Sequence, residues 1–332
     1  MGAVTRYPDG STWATAGLYA NTQYEVAKSW LLTAGARYST YRITADFDTT
    51  FFPFPFKSAE MSNGGPIGSL GTVWTPTESW QVYANLASGF RAPNIDDMGK
   101  VFESTPGFLV VPNPDLKPES VYNAEIGAMK VLGDWAKLDV AAYHTWLQDA
   151  MVRRDFTFNG LTEIEIEGDT SRIEALQNIA EIRAFGLQAG AEFQVKGFGL
   201  RSNISLQQGK EQSPDSLIFY PLRHAPPTFG STHMWFAHKK FRLEAYAIYN
   251  ARLDYDQLAL TERVNQSYAK DASGRNYSAA WYTLNFKSAY YANEHLTLTA
   301  GVENIMDVLY RPYSSGINAP GRNLIVSLSA KF

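Results

Sequence analysis

From Thr12 to its end, this chain repeats one device: a segment of roughly ten residues in which apolar and polar side chains alternate, then a connection, then another such segment. A period of two sends successive side chains to opposite faces of an extended strand. Between Phe241 and Tyr255, one face carries Phe241, Leu243, Ala245, Ala247, Tyr249 and Ala251, and the other carries Arg242, Glu244, Tyr246, Asn250 and Arg252. Leu200, Ile204 and Leu206 oppose Arg201, Asn203, Ser205 and Gln207 in the same way, and Leu296, Leu298, Ala300 and Val302 oppose Thr297, Thr299, Gly301 and Glu303. One apolar and one water-loving face per strand fits an all-β, antiparallel sheet standing between two media.

About thirteen strands are expected, near 12–21, 30–45, 66–75, 79–91, 119–131, 135–149, 180–196, 199–210, 227–238, 240–254, 278–291, 294–305 and 321–332. Their connections are of two kinds. Thr75-Pro76-Thr77-Glu78, Gly133-Asp134, Lys196-Gly197-Phe198, His238-Lys239 and Ala292-Asn293-Glu294 are tight turns, whereas 46–65, 92–118, 150–179, 211–226, 255–277 and 306–320 are long. Short turns at one rim and long loops at the other is the asymmetry of a transmembrane β-barrel. Trp30, Trp74, Trp80, Trp135, Phe241, Trp281 and Phe332 are expected within a residue or two of the short-turn rim, as an interfacial girdle.

Composition agrees. Aromatic residues make up 14% and charged residues 19% of the 332, and the mean hydropathy of −0.25 is too polar for helical spans but is what a two-faced sheet averages to. No run of about eighteen apolar residues is present to form a transmembrane helix. Without cysteine, a disulfide framework, a cysteine zinc site and a thiol nucleophile are all excluded. A net charge of −4 with no basic cluster argues against nucleic acid. Met1 to Tyr7 shows neither an apolar signal region nor a cleavage site, so a membrane-destined chain of this kind is expected to be truncated or rebuilt.

The connection 92–118 is the most distinctive stretch. Phe90-Arg91-Ala92-Pro93 closes one strand and Asn113-Pro114-Asp115-Leu116-Lys117-Pro118-Glu119 opens the next, with prolines barring helix and ladder where they sit. These two segments resemble the paired motifs of TonB-dependent outer-membrane receptors, and the alternating last strand ending in Phe332 is similar to the assembly signal of outer-membrane barrels.

The resemblance implies a C-terminal portion, about thirteen strands, of a plugged barrel of about 22, with the plug domain and signal peptide absent. It implies the outer membrane of a Gram-negative bacterium and energised uptake of a scarce nutrient such as a metal–siderophore complex. A non-energised porin or adhesin barrel is the alternative. Implied partners are outer-membrane lipid, a small-molecule nutrient, the barrel-assembly machinery, and a TonB-type energy-coupling protein reached through the absent N-terminal part. No cofactor is implied. Counting back from Phe332 at the inner rim puts every long connection outside the cell.

Candidate ligand contacts are Phe52, Phe54 and Phe56 in an aromatic loop and Arg91, Asp96, Asp97, Lys100 and Phe102 around the motif loop, because exposed aromatics in a loop call for a partner or an inward fold. Haem-uptake members of the family carry a histidine between the motif halves, and 94–112 contains none. Gln81, Tyr83, Asn85, Arg91, Asn123, Glu125, Glu192, Arg201, Asn203, Arg242, Glu244 and Asn285 are expected on the inner wall. No metal site, phosphate loop or catalytic constellation is discernible, so the chain reads as a receptor or transporter and not as an enzyme.

Overall fold

The computed structural model describes residues 8, 10–48, 57–99, 101–105, 107–166, 169–212 and 218–331. Thirteen long strands form one antiparallel sheet in chain order: β1 (Thr12–Ala27), β2 (Trp30–Asp46), β3 (Ser58–Thr77), β4 (Trp80–Arg91), β5 (Glu119–Leu132), β6 (Ala136–Asp155), β7 (Asp169–Val195), β8 (Phe198–Gln212), β9 (Phe229–His238), β10 (Phe241–Asn250), β11 (Trp281–Tyr291), β12 (Leu296–Glu303) and β13 (Asn323–Ala330). Tight turns and long connections alternate along the whole sheet, so all six long connections gather at one rim.

Several strands are longer than the sequence pattern indicates. β3 starts at Ser58 instead of 66, and β6 and β7 extend to Asp155 and back to Asp169, inside the stretch expected as loop. About ten tilted residues suffice to cross hydrocarbon, so β3 at 20 residues and β7 at 27 stand well clear of it.

β2 shows why the pattern misleads there. Leu32, Ala34, Ala36 and Tyr38 share a face with Thr40, Arg42 and Thr44, while the opposite face ends in Tyr41, Ile43 and Ala45, all buried. The apolar face switches sides near Ser39. Below the switch, apolar side chains face outward; above it, water lies outside and the core is on the inner face.

The outward face of the lower sheet exposes Leu70, Leu86, Ile126, Val140, Met234 and Val326, several at more than half of their full area. A surface like this is untenable in water and favourable against hydrocarbon. Trp30, Trp74, Trp80, Trp135 and Phe241 stand at the short-turn rim as expected. Trp281 does not: it opens β11 opposite Asn250, at the long-loop rim, because the connection before it is one of the long ones. Phe332 lies outside the described residues.

The expected inner-wall residues pair with one another, across strands for Tyr83–Glu125 and Arg201–Glu192 and along one strand for Arg242–Glu244. Tyr83 donates to Glu125 at 2.7 Å, Arg201 reaches Glu192 at 3.0 Å, and Arg242 reaches Glu244 at 3.2 Å. Glycines make room for flat rings in this wall: Gly127 lies under Tyr83, Gly186 under Tyr143 and Gly199 under Trp235, each directly opposite in register.

Among the described residues, β1 and β13 each have one unpaired edge, and every residue of both strands is exposed. With thirteen strands between the two edges, β1 and β13 run in the same direction and cannot pair antiparallel with each other. Antiparallel closure requires an odd number of further strands, which gives the even total of bacterial single-chain barrels.

Candidate functional site

Two loop assemblies occupy the long-loop rim. The first is the motif loop, folded onto the inner face of β2 and β3. A short helix, α1 (Ile95–Gly99), is capped reciprocally: Asp97 N–H donates to Asn94 Oδ1 at 2.9 Å and Asn94 N–H donates to Asp97 Oδ2 at 3.1 Å. Its Met98 and the motif's Leu116 join Tyr41, Ile43, Ala45, Phe47, Ala59, Met61 and Met151 in one buried cluster, with Phe90 and Ala92 packed against it. Pro93 and Pro112 are fully buried.

Polar motif residues lock this shelf in place. Arg91 bridges Asp97 (Nη1–Oδ2 2.6 Å) and Glu119 (Nε–Oε2 2.5 Å), and the other Glu119 oxygen accepts the Met151 N–H at 2.6 Å. Asn113 donates to the Leu176 carbonyl at 2.7 Å and accepts the Asp115 N–H. Asn178 holds Lys117 through both backbone groups. Beyond Gly107, Phe108–Val110 runs parallel against Arg172–Glu174 of β7, over a second cluster of Leu109, Val111, Phe158, Ile173 and Ala175.

The second assembly joins three long loops around one carboxylate. Glu262 is 1% exposed. It accepts Arg223 Nε at 2.7 Å from the β8–β9 loop, Ser314 Oγ at 2.8 Å from the β12–β13 loop, and Asn265 Nδ2 at 3.1 Å from its own β10–β11 loop. Burial opposes its charge, but the hydrogen bonds from Ser314, Arg223, Asn265 and Tyr268 outweigh that and hold its pKa below the ordinary 4.5. Burial also pushes the Tyr268 phenol well above its usual range, with the Glu262 charge adding to it. Tyr313 accepts the Ala259 N–H at 3.0 Å, tying the β12–β13 loop to the wall beside the hub.

Between the two assemblies lies a cavity of about 920 Å³. Met151, Arg153 and Arg154 of β6 with Glu174 of β7 form one wall, and Arg223, His224 and Ala259 to Thr261 form the other. Arg154 is held to Glu211 at 2.8 Å, and Arg153 lies 4.0 Å from Glu174. The volume suits a compact ligand of drug size. A second concavity of about 360 Å³ lies on the inner wall of β1 to β4, around Tyr19, Asn21 and Arg37, beside the unpaired β1 edge.

Of the residues expected to touch ligand, Arg91 and Asp97 are brought together with Glu119 in the shelf. Asp96 sits in the first turn of α1. Phe102 begins the short strand Phe102–Thr105. Phe52, Phe54, Phe56 and Lys100 lie outside the described residues. Arg153, Arg154, Arg223 and Glu262 escaped sequence reasoning. The available signals were weak: adjacent arginines just past a membrane-length segment, and an Arg-His pair among Pro221, Pro226 and Pro227.

The architecture defines a class: a transmembrane-type antiparallel barrel sheet with loops packed into its wide mouth. The family model described as TonB dependent receptor-like, beta-barrel matches residues 2–305, and the chain belongs to that family. Hemoglobin-binding protein A of Haemophilus influenzae is 26% identical over 77% of this chain and 28% of its own length. Vitamin B12 transporter BtuB of Vibrio vulnificus is 26% identical over 80% of this chain and 37% of its own. Among solved structures, the copper transporter OprC superposes with a TM-score of 0.74 at 16% identity, covering 97% of this chain and 48% of that one. The Serratia marcescens receptor HasR, with its hemophore HasA and heme, gives 0.71 at 16% identity, covering 96% and 51%. The chain therefore spans about half the length of these structures and roughly a third of these curated relatives.

Proposed function

We propose that this chain is the ligand-gripping sector of an outer-membrane receptor that takes up a scarce nutrient through TonB-type energised transport. The observation that carries this reading is the 920 Å³ cavity at the long-loop rim, walled on one side by strands of the barrel and on the other by a braced group of loops. The long-loop rim faces outside, so the ligand is captured from the medium. The remaining strands that close the sheet, and a plug against the polar inner wall, belong to the same protein. That wall, with its paired Tyr83–Glu125 and Glu192–Arg201 side chains, presents hydrogen-bonding groups such a plug would meet. The relatives named above, which by their names bind hemoglobin, transport vitamin B12 or transport copper, support uptake of a nutrient as the shared theme.

Deletion of the gene from its native locus tests the reading. Loss of growth on one scarce iron, haem or cobalamin source, reproduced in wild-type cells by collapse of the proton-motive force, is the expected result. Uptake that survives the uncoupler overturns energised transport in favour of a passive barrel, and unchanged growth on every source overturns the receptor reading.

A further inference from the structure

Arg223 differs from Arg154, on the opposite wall of the cavity, in how its donors are used. Arg154 spends Nη2 on Glu211 and Nη1 on the Arg153 carbonyl. Arg223 is held through Nε alone, at 2.7 Å to Glu262 and 3.2 Å to Ser314 Oγ, and among the described residues its two Nη groups have no partner. Its side chain is 52% exposed while that of Glu262 is 1% exposed. A guanidinium fixed along one edge offers the parallel pair of N–H donors on its far end, a geometry that matches two oxygens of a carboxylate. Because Glu262 draws on Ser314, Asn265 and Tyr268 as well, its charge remains stabilised when Arg223 also engages a second anion.

We propose that Arg223 is the anion-reading residue of this cavity, oriented by buried Glu262 to take a carboxylate of the ligand between its Nη groups. The inference rests on the receptor reading and narrows it to carboxylate-bearing ligands, such as polycarboxylate or porphyrin metal chelates. Glu262 is a positioning residue: it braces Arg223 against rotation, so less freedom is lost on binding.

The test uses protein purified from its native membrane into detergent, with tryptophan fluorescence as readout, one matched probe pair and one pair contrasting an acid with an uncharged chelate. Haem and haem dimethyl ester differ only in their carboxylates, and ferric citrate and the uncharged ferric trihydroxamate ferrichrome differ in charge. The wild type is expected to bind at least one acid probe more tightly than its uncharged counterpart by about tenfold. Arg223→Gln is expected to abolish that preference, read as the ratio of the two affinities within each pair, and Arg223→Lys to restore part of it. Since Arg223→Gln strips a partner from a buried carboxylate, the double variant Arg223→Gln/Glu262→Gln, with an uncharged hub, provides the second reading and should lose the preference equally. Equal binding of acid and uncharged probes by the wild type, or a preference that survives both variants, overturns the inference and leaves the receptor reading standing. Binding of none of the four overturns the receptor reading for iron and haem chelates, and this inference falls with it.

Discussion

The motif shelf and the Glu262 hub do the same job at the same rim by opposite means. The shelf covers the upper inner face of β2 and β3 with apolar side chains, and its polar motif residues fasten the edges. The hub has a carboxylate where the shelf has a methionine and leucine core, and hydrogen bonds from three loops keep it charged. Apolar burial tolerates small displacements because it has no direction, whereas a buried charge requires every donor in place. The shelf is therefore the assembly less sensitive to any single bond, and the hub stands behind the cavity wall whose position depends on a few named bonds.

The largest expected effect breaks the hub. Glu262→Ala leaves Arg223, Ser314, Asn265 and Tyr268 without their common acceptor and should cost about 1–3 kcal/mol of local stability for each donor that stays buried and unsatisfied, read as faster amide exchange across 255–277 and 304–322 with the shelf unaffected. Leu116→Ala attacks the shelf instead. It removes a side chain only 4% exposed and should cost about 2–4 kcal/mol, read as a lower urea midpoint in micelles and faster exchange across 94–118.

Acid separates the two without mutation. The folded pKa of Glu262 lies below the ordinary 4.5, so its contribution is complete above that value and is lost as pH falls through the lowered one. Exchange at 255–277 should rise on acidification, while amides beneath the apolar shelf, near Ile43 and Met61, stay protected. Arg91→Lys probes the shelf's fastening. One ammonium cannot span Asp97 and Glu119 as the guanidinium fork does, and a loss of about 1–2 kcal/mol is expected in the same urea titration. The smallest effect is that of Glu60→Gln, whose exposed pair with Arg42 lies outside both assemblies; the unfolding free energy from the same titration should change by less than about 0.5 kcal/mol.

How legible each region was follows from the range of its interactions. The shelf announces itself because its prolines, its Asn-Pro turn and its Arg and Glu anchors sit within one loop and the strands beside it, between Phe90 and Glu119. Of the residues expected to touch ligand, Arg91 and Asp97 are engaged with each other within this shelf. The hub gave no such sign. Arg223, Glu262 and Ser314 are separated by 39 and 52 residues along the chain, and nothing local marks them as partners. Trp281 was misplaced for a related reason: a tryptophan at a strand end looks the same at either rim, and only the length of the connection before it decides which rim it joins.

By itself the sequence determined the two-faced strands, their number, the alternation of short and long connections, and the family that the Phe90–Pro93 and Asn113–Glu119 segments mark. The strands and their connections follow from period-two alternation and local turn chemistry, which act between near neighbours, and the family follows from the resemblance of the two motif segments. Tertiary structure alone decided where the strands outrun the membrane, because above Ser39 the inner face of β2 is made a core by a loop arriving from fifty residues downstream. It also decided how Arg223 is held, because that depends on a carboxylate two strands away in the sheet order, reached by a different loop. A buried charge is satisfied by whatever donors the fold brings to it, and no spacing in the chain encodes that convergence.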